Sequence, residues 1–162
     1  MKTAIIYFSL TGFTASIAET MAKMVDADLI PLQPIDEQSK EFSLKTIVKG
    51  GSQVVRKKKP ELKEYQFDPA DYDLIIIGTP VWAWNFTPPL RTFFAEQDLS
   101  GKKVAIYATH QGGLGKTLKN MIADMPDAII VGERDFLNSK GKESRSLSNA
   151  RLWLAELIKK IS

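Results

Sequence analysis

The sequence contains no cysteine and a single histidine, His110. Without cysteine, disulfides, cysteine nucleophiles and thiolate-held zinc or iron–sulfur clusters are excluded. One histidine cannot build a histidine-rich metal site, and the acidic residues show no cluster that would suit a carboxylate site. We therefore expect no metal site, and any redox role would need an organic cofactor.

Long apolar segments are missing as well. No stretch approaches the ~18 apolar residues of a membrane span, and the N-terminus shows no signal-peptide pattern. A chain of 162 residues with 44% hydrophobic and 25% charged residues has the composition of a globular protein and the length of one domain. We expect a single domain over residues 1–162, no membrane association and a cytoplasmic location.

The net charge is +3, and the densest basic run is R-K-K-K at residues 56–59. Such a run could contact an anionic partner, although a solvated surface is its ordinary role. No aromatic interleaving or nucleic-acid-binding module accompanies it, so nucleic acid is not an expected partner.

Apolar patterns predict strands that alternate with helices. Short, continuously apolar runs predict buried strands at residues 4–8, 28–32, 73–78, 103–109 and 128–131. Spacings of three and four predict helices from residue 14, at 90–96, near 118–125 and at 147–161, and residues 33–66 are interpreted as a broken helix and a long connection. The alternation predicts an α/β fold with a doubly wound, five-stranded parallel sheet, and Pro31 places the second strand at its edge.

Ligands of such sheets bind beyond the carboxyl ends of the strands, which selects three loops. Loop 1 (residues 9–14) follows the first strand, loop 2 (residues 78–88) the third, and loop 3 (residues 109–116) the fourth. All three differ from ordinary connecting loops in composition, so we expect the functional site there.

Loop 1 reads S-L-T-G-F-T and carries no charge. It leads into a helix, whose first N–H groups lack intrahelical partners and favour an anion such as phosphate. Ser9, Thr11 and Thr14 could add hydroxyl donors, and Gly12 would let the backbone approach closely. A threonine that merely caps the helix is the alternative, and loop 1 alone does not decide between the two.

Loop 2 reads G-T-P-V-W-A-W-N-F-T-P and places Trp82, Trp84 and Phe86 where connecting loops are usually polar. Aromatic side chains at a ligand-binding edge suggest stacking on a planar ring. Packing against the core or an oligomer contact is the alternative, and we expect at least one of the tryptophans to be structural.

Loop 3 reads T-H-Q-G-G-L-G-K. Gly115 and Lys116 match the end of a Walker A motif, but His110 stands where the motif needs its first glycine, so an NTPase is not expected. The glycines suit a backbone that donates hydrogen bonds to a ligand, or a flexible turn. His110 either contacts the ligand or is a polar loop residue.

Together the loops resemble the flavodoxin-like family, whose members bind FMN at these positions, and the resemblance covers essentially the whole chain. S-L-T-G-F-T corresponds to the family's T/S-x-T-G-x-T phosphate loop. G-T-P-V-W-A-W-N is similar to the segment beside the isoalloxazine ring, and T-H-Q-G-G-L-G to the glycine-rich third loop. The resemblance implies the strand order 2-1-3-4-5 and a short-chain member, since the fifth strand leaves no room for a long insertion.

The resemblance also implies which residues bind FMN. The phosphate would be surrounded by Ser9, Thr11, Gly12, Phe13 and Thr14, largely through backbone N–H and hydroxyl groups. The flavin ring would be lined by Thr79, Pro80, Val81, Trp82, Ala83, Trp84 and Asn85. The pyrimidine side would be approached by Thr109, His110, Gln111, Gly112, Gly113 and Gly115.

The expected function is electron transfer through non-covalently bound FMN, to a redox partner protein or a small-molecule acceptor, with no catalytic side chain. An NAD(P)H-dependent FMN or quinone reductase on the same fold is the alternative, and a binding module that has lost the flavin is a third possibility. Electron carriers of this family are typically acidic, whereas this chain is net basic. Docking onto a positively charged partner is therefore not expected.

Overall fold

Five strands form one parallel sheet. In the computed structural model, which describes residues 1–35 and 59–162, they are β1 (Thr3–Tyr7), β2 (Asp28–Pro31), β3 (Leu74–Pro80), β4 (Lys103–His110) and β5 (Ile129–Leu137). Their order is β2-β1-β3-β4-β5, and every neighbouring pair is parallel. The predicted α/β class and strand order are confirmed, and β2 lies at an edge as its proline indicated.

The described residues contain four α-helices, which cover both faces of the sheet. They are α1 (Phe13–Val25), α2 (Pro88–Glu96), α3 (Thr117–Ala123) and α4 (Glu143–Ile161), and a short 3-10 helix spans Pro69–Asp71. α1 and α4 pack on one face, through residues such as Ile17, Met21, Ala150 and Leu154. α2 and α3 pack on the other, through residues such as Leu90, Phe93 and Met121. None of these helices is both long and apolar enough to cross a membrane.

Strand β1 shows why the central strands are largely apolar. Ala4 and Ile6 belong to the core cluster under α2 and α3, whereas Ile5 and Tyr7 belong to the cluster under α1 and α4. Successive side chains of a strand point to opposite faces, and here both faces are covered. No position in β1 is left for a solvent-facing polar residue, which explains the unbroken apolar run in the sequence.

The fifth strand is longer than predicted. The sequence pattern predicted residues 128–131, whereas β5 spans Ile129–Leu137 and pairs with β4 as far as His110. The prediction stopped too early because β5 is an edge strand, and Glu133, Arg134 and Asp135 are exposed. A search for continuous apolar runs does not detect such a half-solvated strand.

The predicted broken helix in residues 33–66 and the basic run at residues 56–59 lie largely outside the described residues. The two described ends of this segment pair with each other. Ile35 N–H donates to the carbonyl of Glu61 at 2.9 Å, and Lys63 N–H donates to the carbonyl of Gln33 at 2.7 Å. The chain therefore leaves the edge of the sheet beyond β2 and returns antiparallel to itself.

Tyr107 connects the centre of the sheet to α1. Its ring lies against Gly78 on the neighbouring strand, where an added Cβ would stand only 2.0 Å from Tyr107 Cζ. The hydroxyl reaches past the sheet and donates to the carbonyl oxygen of Thr14 at 3.0 Å. Burial raises the pKa of Tyr107 well above its ordinary value of 10.0, so the hydroxyl keeps its proton and remains a donor.

Candidate functional site

Loops 1, 2 and 3 meet at the carboxyl edge of the sheet, because they follow its three central strands β1, β3 and β4. β1 has β2 on one side and β3 on the other, so the chain order reverses beside loop 1. Open α/β sheets bind ligands at such a switch point. The three loops selected from the sequence therefore form one candidate site.

Loop 1 ends in a helix N-terminus that no side chain caps. The N-cap is Gly12, in the left-handed region with φ 96°, and glycine has no side chain that could accept an N–H of the first turn. Ser9 Oγ accepts the Gly12 N–H at 3.1 Å, which shapes the loop and does not cap the helix. A threonine cap, one of the two interpretations left open by the sequence, is excluded by this geometry.

The first amides of α1 are consequently available to a ligand. Among the described residues, the N–H groups of Phe13, Thr14 and Ala15 donate to no protein acceptor. Helix N-termini carry a partial positive charge, so three free amides in the first turn suit an anion. Gly12 adds a close approach, because nothing lies within 4 Å of the position its Cβ would occupy.

The Thr14 side chain does not face the site, although its hydroxyl was expected to contact a phosphate. The side chain is buried, with 2% of its surface exposed, and its Oγ1 lies 2.7 Å from Oγ1 of Thr109 at the end of β4. The hydroxyl is therefore engaged within the protein, and the backbone N–H is the donor of Thr14 that remains for the expected phosphate contact. Thr109, expected on the pyrimidine side, is buried as well and supports α1 through this hydrogen bond.

Loop 2 contains a tight turn built from non-glycine residues. Trp82 and Asn85 exchange two backbone hydrogen bonds of 2.9 and 3.0 Å. The central residues Ala83 and Trp84 both have positive φ, 48° and 60°. A two-residue turn with positive φ at both positions is a type I′ geometry, in which glycine or asparagine is normal. Alanine and tryptophan there cost about 1 kcal/mol or more each, and such strain is typical of functional segments.

Two polar side chains of loop 2 hold the loop together from inside. Thr79 is fully buried, donates to the carbonyl of Pro80 at 2.8 Å and accepts the N–H of Thr87 at 3.2 Å. Asn85 is 8% exposed, and its Oδ1 accepts from the Phe86 N–H and from Asn120 Nδ2. Both were expected to bind a cofactor, but the structure uses their side chains to support the turn.

The two tryptophans of loop 2 have different environments. Trp82 is half-buried and packs edge-to-face on Phe8, with ring centroids 5.5 Å apart. Trp84 is 66% exposed, which leaves most of its indole free to stack on a ligand. One structural and one open tryptophan agree with the expectation that at least one of them is structural.

Trp84 also joins loop 2 to loop 3. An added Cβ on Gly115 would stand 2.5 Å from Trp84 Cβ and 2.7 Å from its carbonyl oxygen, and the Lys116 N–H donates to that oxygen at 3.3 Å. Gly115 itself has φ 56°. Gly115 is therefore required both by its own backbone conformation and by the approach of Trp84.

The remaining predicted residues lie on the same edge. Thr11, Gln111, Gly112 and Gly113 are exposed, and Ser9, Phe13, Pro80 and Val81 are half-buried. His110 is the one ionisable side chain of the predicted set, and its Nε2 lies 2.8 Å from Oδ2 of Asp135 on β5. The structure thus brings all predicted residues to one edge, although several of them support the loops from behind.

Four residues that support the candidate site were not predicted from the sequence. Tyr107 lies in β4 and Phe8 directly follows β1, and the pattern of both indicates only core packing. Asn120 lies in α3, beyond loop 3. Asp135 belongs to the part of β5 that the apolar pattern missed. Only Asp135 had a usable signal, since apolar residues resume as F-L directly after E-R-D, which allows the strand to continue.

Comparison with known proteins gives a family for the chain. A family model described as flavodoxin matches residues 2–153. No curated protein matches the sequence. Among solved structures, a candidate flavoprotein from Bacteroides eggerthii is 26% identical with a TM-score of 0.78, over 97% of this chain and 98% of the other.

Further solved structures share the architecture. A candidate flavoprotein from Bacteroides uniformis is 25% identical with a TM-score of 0.77, over 95% of this chain and 97% of the other. A flavoprotein from Lactobacillus acidophilus, solved in complex with FMN, is 22% identical with a TM-score of 0.66, over 94% and 97%. The likeness to this last protein shows the common fold.

We predict that Gly115→Ala separates loops 2 and 3. The new methyl group would overlap Trp84, and alanine at positive φ adds strain, so the free energy of unfolding should fall by about 1–3 kcal/mol. The indole of Trp84 should also move, which tryptophan fluorescence of the native protein reports. Urea unfolding measures the stability.

Gly113→Ala is the matched control in the same loop. Its φ lies outside the left-handed region, and its Cβ would meet only the Trp84 indole at 3.4 Å. This variant should change stability and fluorescence little. Equal effects of the two substitutions would contradict the assigned contact between Gly115 and Trp84.

Proposed function

The chain belongs to the flavodoxin family, and on that premise we propose that it binds FMN non-covalently at the carboxyl edge of the sheet and transfers electrons through it. When bound, FMN supplies one- and two-electron redox chemistry. The protein contributes binding, orientation of the ring and exclusion of water. The observation that carries the proposal is the uncapped first turn of α1 at the same edge of the sheet as an exposed tryptophan.

The phosphate fits loop 1 by the chemistry of its donors. Three amides of the first turn are free, the loop carries no charge, and the positive φ of Gly12 lets a ligand approach the backbone. Loops 1, 2 and 3 contain no acidic residue, so no side chain of these loops repels a phosphate. The FMN bound by the Lactobacillus acidophilus protein, which shares the fold, supports the same ligand here.

The flavin ring fits loop 2. Trp84 offers an exposed indole at the same edge, held by a turn whose two hydrogen bonds fix its backbone. Stacking of aromatic rings contributes about 1 kcal/mol beyond the burial of area. Trp82, packed on Phe8, would close the site towards loop 1.

The charge at the carboxyl edge of the sheet indicates which kind of redox partner would bind there. Lys116 of loop 3 and Lys140 and Lys142, between β5 and α4, are exposed and form no ion pair within the described residues. A basic edge attracts an acidic surface, so an acidic redox protein is the partner proposed for an electron carrier. The same lysines would attract the phosphates of NAD(P)H, which makes a direct reductase the second candidate.

Comparison of FMN with riboflavin tests the phosphate site without any mutation. Both carry the same ring, and only FMN carries the phosphate. Charge-assisted hydrogen bonds contribute about 1.5–3 kcal/mol each, so FMN should bind at least ~10-fold more tightly than riboflavin. Quenching of flavin fluorescence on titration measures both affinities.

Two glycines with positive φ provide the control, since alanine would be strained at either position. Gly12 and Gly101 have φ of 96° and 71°, and neither has an atom within 4 Å of an added Cβ. Gly12→Ala should weaken FMN binding, whereas Gly101→Ala should lose similar stability and keep the affinity. Equal affinity for FMN and riboflavin would contradict the phosphate site at the first turn of α1. Failure to bind either ligand would favour a binding module that has lost the flavin.

Anaerobic mixing with NADPH separates the two redox roles. For an electron carrier, the absorbance of bound FMN should persist with NADPH alone and bleach after a flavodoxin reductase is added. Rapid bleaching by NADPH alone would contradict the carrier role and identify a reductase.

A further inference from the structure

His110 has a hydrogen-bonding partner for each ring nitrogen. Its Nε2 lies 2.8 Å from Oδ2 of Asp135 on β5, and the N–H of Gly112 in loop 3 donates to its Nδ1 at 3.1 Å. The imidazole is largely covered, with 12% of the side chain exposed, whereas 48% of Asp135 is exposed. The ring therefore links β5 to the backbone of loop 3.

This pair of contacts selects one tautomer. Nδ1 accepts a hydrogen bond only when it carries no hydrogen, so a neutral imidazole in this position carries its proton on Nε2. Nε2–H then donates to the Asp135 carboxylate. Asp135 thus favours the ring form whose Nδ1 is free to hold the amide of Gly112.

The side chain of His110 is not needed to hold β4 and β5 together. β4 and β5 pair from Lys103 to His110, and the Asn138 N–H also donates to the His110 carbonyl at 2.7 Å. What the imidazole adds is its reach to Gly112, whose φ is 133°. Its distinct effect is therefore on the course of loop 3.

The backbone N–H groups of loop 3 fall into two groups, one that bonds the imidazole and several that have no protein acceptor among the described residues. The Gly112 N–H is used by His110. In the described part of the chain, the N–H groups of Gly113, Leu114 and Gly115 donate to no protein acceptor. Three successive amides are left for a ligand, directly after the one that the imidazole holds.

We propose that Asp135 and His110 are positioning residues for loop 3: the carboxylate holds the imidazole as the Nε2–H tautomer, and Nδ1 holds the Gly112 amide, which sets the following amides for FMN. The last part rests on the proposed function. His110, expected from the sequence to bind the cofactor, acts on it through the loop backbone, because both of its nitrogens are engaged.

The tautomer can be observed directly, because the chain has one histidine. Nitrogen-15 NMR of the ring in flavin-free protein, slightly above neutral pH, should show an unprotonated Nδ1 and a protonated Nε2. Asp135→Ala should mix the two tautomers, and Asp135→Asn, whose amide oxygen still accepts, should mix them less. Glu133→Ala, on the same strand, is the control and should change nothing.

A protonated Nδ1 in the native protein, or an Asp135→Ala spectrum identical to that of the native protein, would overturn the proposal. This experiment needs no flavin, so its result is independent of whether FMN binds. Failure of the native protein to bind FMN would instead overturn the proposed function.

Two substitutions of His110 test the effect on the ligand. In His110→Asn, the amide oxygen can take the place of Nδ1 and accept the Gly112 N–H. In His110→Gln, the longer amide reaches Asp135 and leaves the Gly112 N–H without that acceptor. His110→Gln should weaken FMN binding about fivefold or more, the loss of one hydrogen bond, and His110→Asn should weaken it less.

A purely structural role predicts another pattern. Both substitutions would then lower stability while their FMN affinities, measured by fluorescence quenching, stayed equal. Equal affinities, or weaker binding by His110→Asn, would overturn the positioning role of Nδ1.

Discussion

The arrangement of the site depends on how β4 holds the first turn of α1. Two side chains at the end of this central strand reach Thr14. Tyr107 donates to its carbonyl oxygen at 3.0 Å, and Thr109 bonds its hydroxyl at 2.7 Å. Both hydrogen bonds are buried, where water cannot replace them and an unpaired partner would be costly. The turn that carries the free amides is therefore fixed to the strand beside loop 3.

This fixation explains an otherwise unusual helix start. A helix N-terminus is normally stabilised by a side-chain cap, which would occupy an amide that a ligand needs. Here the first turn is stabilised from the sheet, through the carbonyl and the side chain of Thr14. The amides themselves remain free among the described residues. Stability and binding capacity are supplied by different atoms of the same turn.

The fold could be predicted from the sequence because the patterns that indicate its strands, helices and loops lie in short segments of the chain. The central strands are apolar runs buried on both faces, and glycine, proline and hydroxyl residues mark the loops at their ends. The edge strand β5 was underestimated, since its exposed residues 133–135 break that pattern. The candidate site was located for the same reason, as the composition of its three loops is itself local.

The hydrogen bonds that support the candidate site could not be predicted from the sequence, because they join residues far apart in the chain. Thr14 and Thr109 are 95 positions apart, and the sequence shows two ordinary threonines. The positive φ angles of Ala83 and Trp84 contradict the local preference of both residues, so they follow from tertiary contacts. The hydroxyl of Thr14, expected to face the phosphate, instead bonds Thr109, and the hydroxyl of Thr79, another residue expected to bind the cofactor, accepts the Thr87 N–H.

The claim that β4 positions α1 for FMN is tested most directly by the FMN affinity of Tyr107→Phe. This change keeps the ring against Gly78 and removes only the hydroxyl that Thr14 accepts. Tyr65→Phe, whose hydroxyl bonds Glu96 and Gln97, is the matched control. The account predicts about fivefold weaker FMN binding for Tyr107→Phe, the loss of about 1 kcal/mol, and native affinity for Tyr65→Phe. Native affinity in Tyr107→Phe, with only its stability reduced, would contradict it.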